Sequence, residues 1–107
     1  MTYEERKIIN EKVDKIADNY GMESQLGIVQ EECAELIVAV SKFRRSKNIQ
    51  TTHNLVEEMA DVYIMLNQIL YLLNKGSDND FYERFIWNTI ERKINRQLER
   101  MSDENAI

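Results

Sequence analysis

Two short acidic segments hold the residue types in this chain best able to do chemistry. Glu31-Glu32-Cys33-Ala34-Glu35 and Glu57-Glu58-Met59-Ala60-Asp61 each carry two acids three residues apart, Glu32 with Glu35 and Glu58 with Asp61. Residues at i and i+3 lie on one side of a helix, so each segment can aim two carboxylates at a single point. Two such helices packed face to face would gather four carboxylates. Left unneutralised, that cluster would cost far more than the net stability of a small domain. A hard divalent cation, which prefers oxygen ligands, is the natural remedy.

Acids are frequent, with 19 Asp and Glu among 107 residues, so position around the helix says more than spacing. On a wheel of about 100° per residue, Leu26, Val29, Cys33, Leu36, Ile37, Val40 and Phe43 form one apolar stripe. Glu32 falls at its edge, between Ala39 and Phe43, with Glu35 a little further out and Glu31 turned toward water. Glu58 projects between Met65 and Ile69, inside an apolar face, and Asp61 borders it. A charged face that serves only solvation would not place acids there.

The elements that must position these acids are helices. There is no proline, and the three glycines stand at 21, 27 and 76, so long uninterrupted helices are allowed almost everywhere. Thr2 with Glu5 reads as a capping box opening a first helix near residue 3. Its apolar face is Ile8, Ile9, Val13, Ile16, Ala17 and Tyr20, and Gly21 stops it. The spacing predicts a second helix over about 24–46 and a polar connection over 46–52. Asn54 with Glu57 suggests a capping box opening a third helix over about 54–74, apolar nearly all round after Asp61 and so expected to be the most buried. Asn74-Lys75-Gly76-Ser77 breaks it. Asp80 with Glu83 is the expected cap of a fourth helix, whose apolar face is Phe81, Phe85, Ile86, Ile90, Ile94, Leu98 and Met101. The tail from Ser102 to Ile107 is expected to fray, leaving an ordered core of about 3–101. No segment alternates with period two long enough to argue a strand. The expected fold is all-α: one domain spanning residues 1–107, with four helices in an antiparallel, bundle-like arrangement.

Composition excludes several classes. Hydrophobic content of 43% and charged content of 31% suit a globular chain rather than a disordered one. The net charge of -5 argues against general affinity for nucleic acid or anionic lipid. It leaves a nucleotide open, because bound metal reverses the local sign of an acidic pocket. The single cysteine, Cys33, allows no internal disulfide and fits a reducing interior. The N-terminus has no apolar signal core, and the run Val62 to Leu73 is interrupted by Asn67 and Gln68 and too short to span a bilayer. A cytoplasmic location is the expectation.

Placed on helices two and three, Glu31-Glu32-x-x-Glu35, 22 intervening residues and Glu58-x-x-Asp61 resemble the signature of the all-α nucleoside triphosphate pyrophosphohydrolases, the MazG-like superfamily. The resemblance covers roughly residues 22–100. Flanking words extend it: Gln25-Leu26, Lys42, and Ala60 through Gln68 around the last acid. The chain looks like the short, single-domain, phage- and Firmicute-type members. The resemblance implies a Mg²⁺-dependent enzyme, with Mn²⁺ able to stand in, that cleaves a nucleoside triphosphate between the α and β phosphates to give the monophosphate and pyrophosphate. It carries the metal-ligand role onto Glu32, Glu35, Glu58 and Asp61. Glu31 or Glu35 is the candidate base for the attacking water, with Glu31's outward angle counting against it. Dimers or tetramers, with neighbouring chains often completing the pocket, are also implied.

Other polar residues share the acids' side. Gln25 lies seven residues before Glu32, and Lys42 seven after Glu35, nearly two turns in each case. Gln25 is a candidate for base or sugar and Lys42 for phosphate. The plainer readings are a surface amide and a lysine laying its stem on apolar surface. Gln68 borders the same face and is a candidate to orient water or substrate, with a capped polar contact as the plainer reading. Lys93, Arg96 and Arg100 share a side of the fourth helix; Lys93 and Arg96 are candidates for the phosphate tail, while Arg100 reads as ordinary solvated charge. Cys33 reads as core, and Trp87 and Tyr63 read as core aromatics with base stacking as the alternative. His53, the only histidine, reads as exposed. No glutamate stands three residues before it, which tells against the Glu-x-x-His of ferritin-like di-iron sites.

The leading functional reading is a (deoxy)nucleoside triphosphate pyrophosphohydrolase, in a house-cleaning role on the nucleotide pool. Two alternatives stand beside it. One is a phosphoribosyl-ATP pyrophosphohydrolase of histidine synthesis; the other is a catalytically silent helical assembly module whose acids serve solubility alone. A homodimer or homotetramer is expected, because the third helix is more apolar than one small bundle readily covers.

Overall fold

The computed structural model of the chain describes residues 1–78 and 80–106. Four helices follow in order: α1 (Tyr3–Tyr20), α2 (Met22–Arg45), α3 (Ile49–Lys75) and α4 (Phe81–Asn105). No strand occurs among the described residues, so the fold is all-helical. No helix among them is long and apolar enough to cross a membrane. Two compact units emerge, residues 1–72 and residues 73–107.

The first unit is built on tight connections. The Thr2 hydroxyl accepts from the Glu5 amide, and the Glu5 carboxylate accepts in return from the Thr2 amide, each at 3.1 Å. That is the reciprocal capping box expected there. Gly21 alone separates α1 from α2. Its φ of 82° and ψ of 170° lie in a region that essentially only glycine occupies. Its amide still bonds the Ala17 carbonyl at 2.9 Å, and its carbonyl already accepts from Gln25 at 3.1 Å. One residue therefore ends one helix and starts the next, two residues earlier than the sequence predicts.

α3 also begins before its expected start, at Ile49 rather than near residue 54. Asn48 is the reason: its Oδ1 accepts from the Thr51 amide at 2.9 Å, and the Thr51 hydroxyl accepts from the Asn48 amide at 3.1 Å. This reciprocal cap uses Thr in place of the Glu or Gln of the usual box, so the Asn54–Glu57 pair looked like the better start. Asn54 and Glu57 instead lie inside α3. The hydroxyl of Tyr71, near the C-terminal end of α3, donates to Asp18 Oδ2 at 2.7 Å and ties α3 to α1.

Burial in this unit follows narrow seams. Ala17, Ala39 and Met65 are its buried apolar residues. Small alanines let helix backbones approach, but they leave flanking positions uncovered. Cys33, expected in the core, is exposed, and so are Leu26, Ile37 and Val40 of the same stripe. α3 is the most enclosed of the four helices, with Met65 and Gln68 buried, but it is not covered all round: Tyr63 remains 66% exposed. A helical wheel gives a direction around an axis, and covering that direction takes a neighbour.

The second unit contains the last turn of α3, the described part of the connection, and α4. Asp80 does not cap α4. It adopts a left-handed backbone (φ 55°, ψ 38°), and its side chain makes no capping bond. The cap comes from across the turn, where Asn74 Oδ1 accepts from the Tyr82 and Glu83 amides at 3.0 and 3.1 Å. α4 has no buried residue, and Trp87 is 62% exposed rather than core. The helix runs through Ser102–Asn105, part of the tail expected to fray, with no glycine or proline there to stop it. Ile107 lies outside the described residues.

Candidate metal centre

α2 and α3 bring their acids together. One carboxylate oxygen each from Glu32, Glu58 and Asp61 lie within 4.8 Å of one another. Glu32 meets Asp61 carboxyl to carboxyl, and Glu58 meets Glu35 in the same way. A step of three residues along α2 is thus matched by a step of three back along α3, which makes the two helices antiparallel neighbours. The three-residue connection 46–48 permits no other simple arrangement. Helical periodicity alone puts both acids of each pair on the facing side, as their spacing predicts.

The electrostatics of the cluster are unfavourable as it stands. Burial, followed by the charges of Glu35, Asp61 and Glu58, raises the Glu32 carboxyl above its ordinary pKa. Burial, followed by Glu35 and Asp61, raises Glu58 in the same direction. The Oε2 atoms of Glu32 and Glu58 are buried and have no hydrogen-bond partner among the described residues. Orphaned oxygens amid like charge are what a cation would relieve. An all-carboxylate donor set suits a hard divalent ion such as Mg²⁺, so the residues present fit the metal that the motif implies.

The remaining expected site residues are placed as follows. Glu31 and Glu35 are both exposed, and of the two it is Glu35 whose charge acts on Glu32 and Glu58. Lys42 lines an open groove of about 270 Å³ between α2 and α3, together with Glu35, Val38, Ala39, Asn54 and Glu58. Gln25 and Gln68 do not line that groove. They are 1% and 2% exposed, and the Oε1 atom of each is buried with no hydrogen-bond partner among the described residues. Gln25 is therefore not a surface amide. Lys93 and Arg96 belong to the second unit, where they line an exposed face of α4 with Arg92 and Arg100. His53 is exposed, as expected.

Asn54 is the groove residue that sequence reasoning missed. Its four-residue spacing from Glu58 was the available signal, since i and i+4 share a face. The capping role assigned to it hid that signal.

No family model matches this chain, and neither a curated protein nor a solved structure does.

Proposed function

We propose that the chain is a Mg²⁺-dependent nucleoside triphosphate pyrophosphohydrolase with a MazG-like helical arrangement. The observation that carries the reading is the convergence of Glu32, Glu58 and Asp61 within 4.8 Å, with Glu35 set against Glu58. A solvating charge face has no reason to bury two carboxylate oxygens that find no hydrogen-bond partner among the described residues. The motif resemblance supplies the reaction class, and the groove beside the cluster supplies room for a ligand.

In this reading Glu32, Glu58 and Asp61 hold the cation, and Glu35 stands at the boundary between the cluster and the groove. Bound there, Mg²⁺ would supply the positive charge that polarises phosphate oxygens and makes water more acidic. Glu35 orients the attacking water and takes its proton. Lys42 draws the anionic phosphate tail into the groove and offsets charge on the departing pyrophosphate. Half-burial of Glu32 and Glu58 strengthens their hold on a cation relative to bulk water.

The test is pyrophosphate release from a panel of common and modified nucleoside triphosphates, with Mg²⁺ and with chelator. Mg²⁺-dependent release of pyrophosphate and monophosphate, lost in Glu58→Gln, is the expected result. Release from none of them would leave a catalytically silent helical module.

A further inference from the structure

Asn54 has lost the role that would explain it. Asparagine is a poor residue for a helix interior, because its side chain competes for backbone groups, and a capping position would account for its presence. The structure gives that work to Asn48 and Thr51 and leaves Asn54 in the second turn of α3. There it is half-buried, makes no side-chain hydrogen bond among the described residues, and lines the groove between Lys42 and Glu58.

The lining of the groove is electrically divided. Glu35 and Glu58 form the edge shared with the acid cluster, Lys42 and Asn54 contribute an ammonium and a neutral amide, and Val38 and Ala39 are apolar. At about 270 Å³ it is smaller than the roughly 300–1,000 Å³ of pockets that enclose a whole small-molecule ligand. It therefore houses part of one. An uncharged base would leave the ammonium unmatched, whereas a phosphate group matches it and brings acceptor oxygens for the amide N–H as well. An aspartate at this position would add a like charge beside Glu58, and the amide avoids that.

Resting on the functional reading above, we propose that Asn54 is a substrate-positioning residue. It donates its side-chain N–H to an oxygen of the pyrophosphate portion, beside Lys42, and so sets the phosphate tail toward the α2–α3 connection.

The experiment uses the whole protein and inorganic pyrophosphate as probe, with calorimetric titration at saturating Mg²⁺ and a separate titration of Mg²⁺ alone. Asn54→Ala is expected to weaken pyrophosphate binding roughly 10- to 100-fold, the range for losing a hydrogen bond to a charged group, while Mg²⁺ affinity is unchanged. Asn54→Asp, nearly the same shape, is expected to weaken it further. Wild-type pyrophosphate affinity in Asn54→Ala would overturn the inference, as would a parallel fall in Mg²⁺ affinity, which would make Asn54 a support for the metal ligands. Either result alongside normal turnover by the wild type would sink this inference alone. Failure of the wild type to bind pyrophosphate and to release it from any triphosphate would sink the functional reading with it.

Discussion

Glu58 on α3 stands against Glu35 on α2, close enough for their carboxyl groups to meet and for the Glu35 charge to add to burial in raising the Glu58 pKa. The two residues are far apart in the chain and lie on separate helices, so the pair exists only because α2 and α3 pack antiparallel. Its consequences can be measured with and without metal.

Glu58→Gln removes one negative charge and keeps the side-chain shape. In metal-free protein it is expected to raise the melting temperature, because Glu58 sits among Glu35, Asp61 and Glu57. The same substitution should abolish the rise in melting temperature that Mg²⁺ gives the wild type. Turnover should fall at least about 100-fold, since the loss of even an outer-shell partner of a metal ligand costs about 10- to 100-fold. Thermal melts and a pyrophosphate assay on one preparation check all three.

The pH dependence follows from the same shifts. Glu32 and Glu58 have folded-state pKa values above the ordinary carboxyl value of 4.5. Between that value and the raised ones, the native state binds more protons than the unfolded state, so unfolding free energy falls as pH rises. Their stabilising contribution is full below pH 4.5 and is lost as pH climbs through the raised values. Denaturation of metal-free wild type and Glu58→Gln across this window should show the wild type losing stability more steeply. Saturating Mg²⁺, which replaces the protons, should remove the wild type's fall in stability across this window and leave that of Glu58→Gln unchanged.

Parts of this architecture were legible from the residues because their causes are local. Thr2 and Glu5 cap α1 through side chains three residues apart. The acids converge because a period of 3.6 residues sends i and i+3 the same way. What escaped depends on partners distant in sequence or on less common local chemistry. Cys33 lies on an apolar stripe, yet it is exposed. Asp80 has the right residue type for a cap, but Asn74, across the turn, performs it. Gln25 read as a surface amide or a substrate contact, but the packing of the first unit encloses it.

Replacing Gly21 tests the helix junction. Nothing lies within 4 Å of a Cβ built there, so Gly21→Ala meets no steric obstacle and isolates the backbone cost. At φ 82° and ψ 170° that cost is expected to be about 1–3 kcal/mol, read from chemical denaturation. A neutral result would mean that α1 and α2 join in another conformation.

The two candidate caps of α4 can be separated directly. Asn74→Ala removes the acceptor for the Tyr82 and Glu83 amides and is expected to cost about 1 kcal/mol. Asp80→Ala removes no capping bond and should cost less. Hydrogen exchange at the first amides of α4 should quicken in the first variant and stay nearly unchanged in the second.

The most direct measurement of the central claim is anomalous scattering from crystals grown with Mn²⁺ in place of Mg²⁺. The account predicts a metal peak bounded by Glu32, Glu58 and Asp61, at about 2.1 Å from a carboxylate oxygen of each, with Glu35 at its margin. A crystal with Mn²⁺ bound elsewhere, or with these acids turned apart and solvated in every copy, would contradict it.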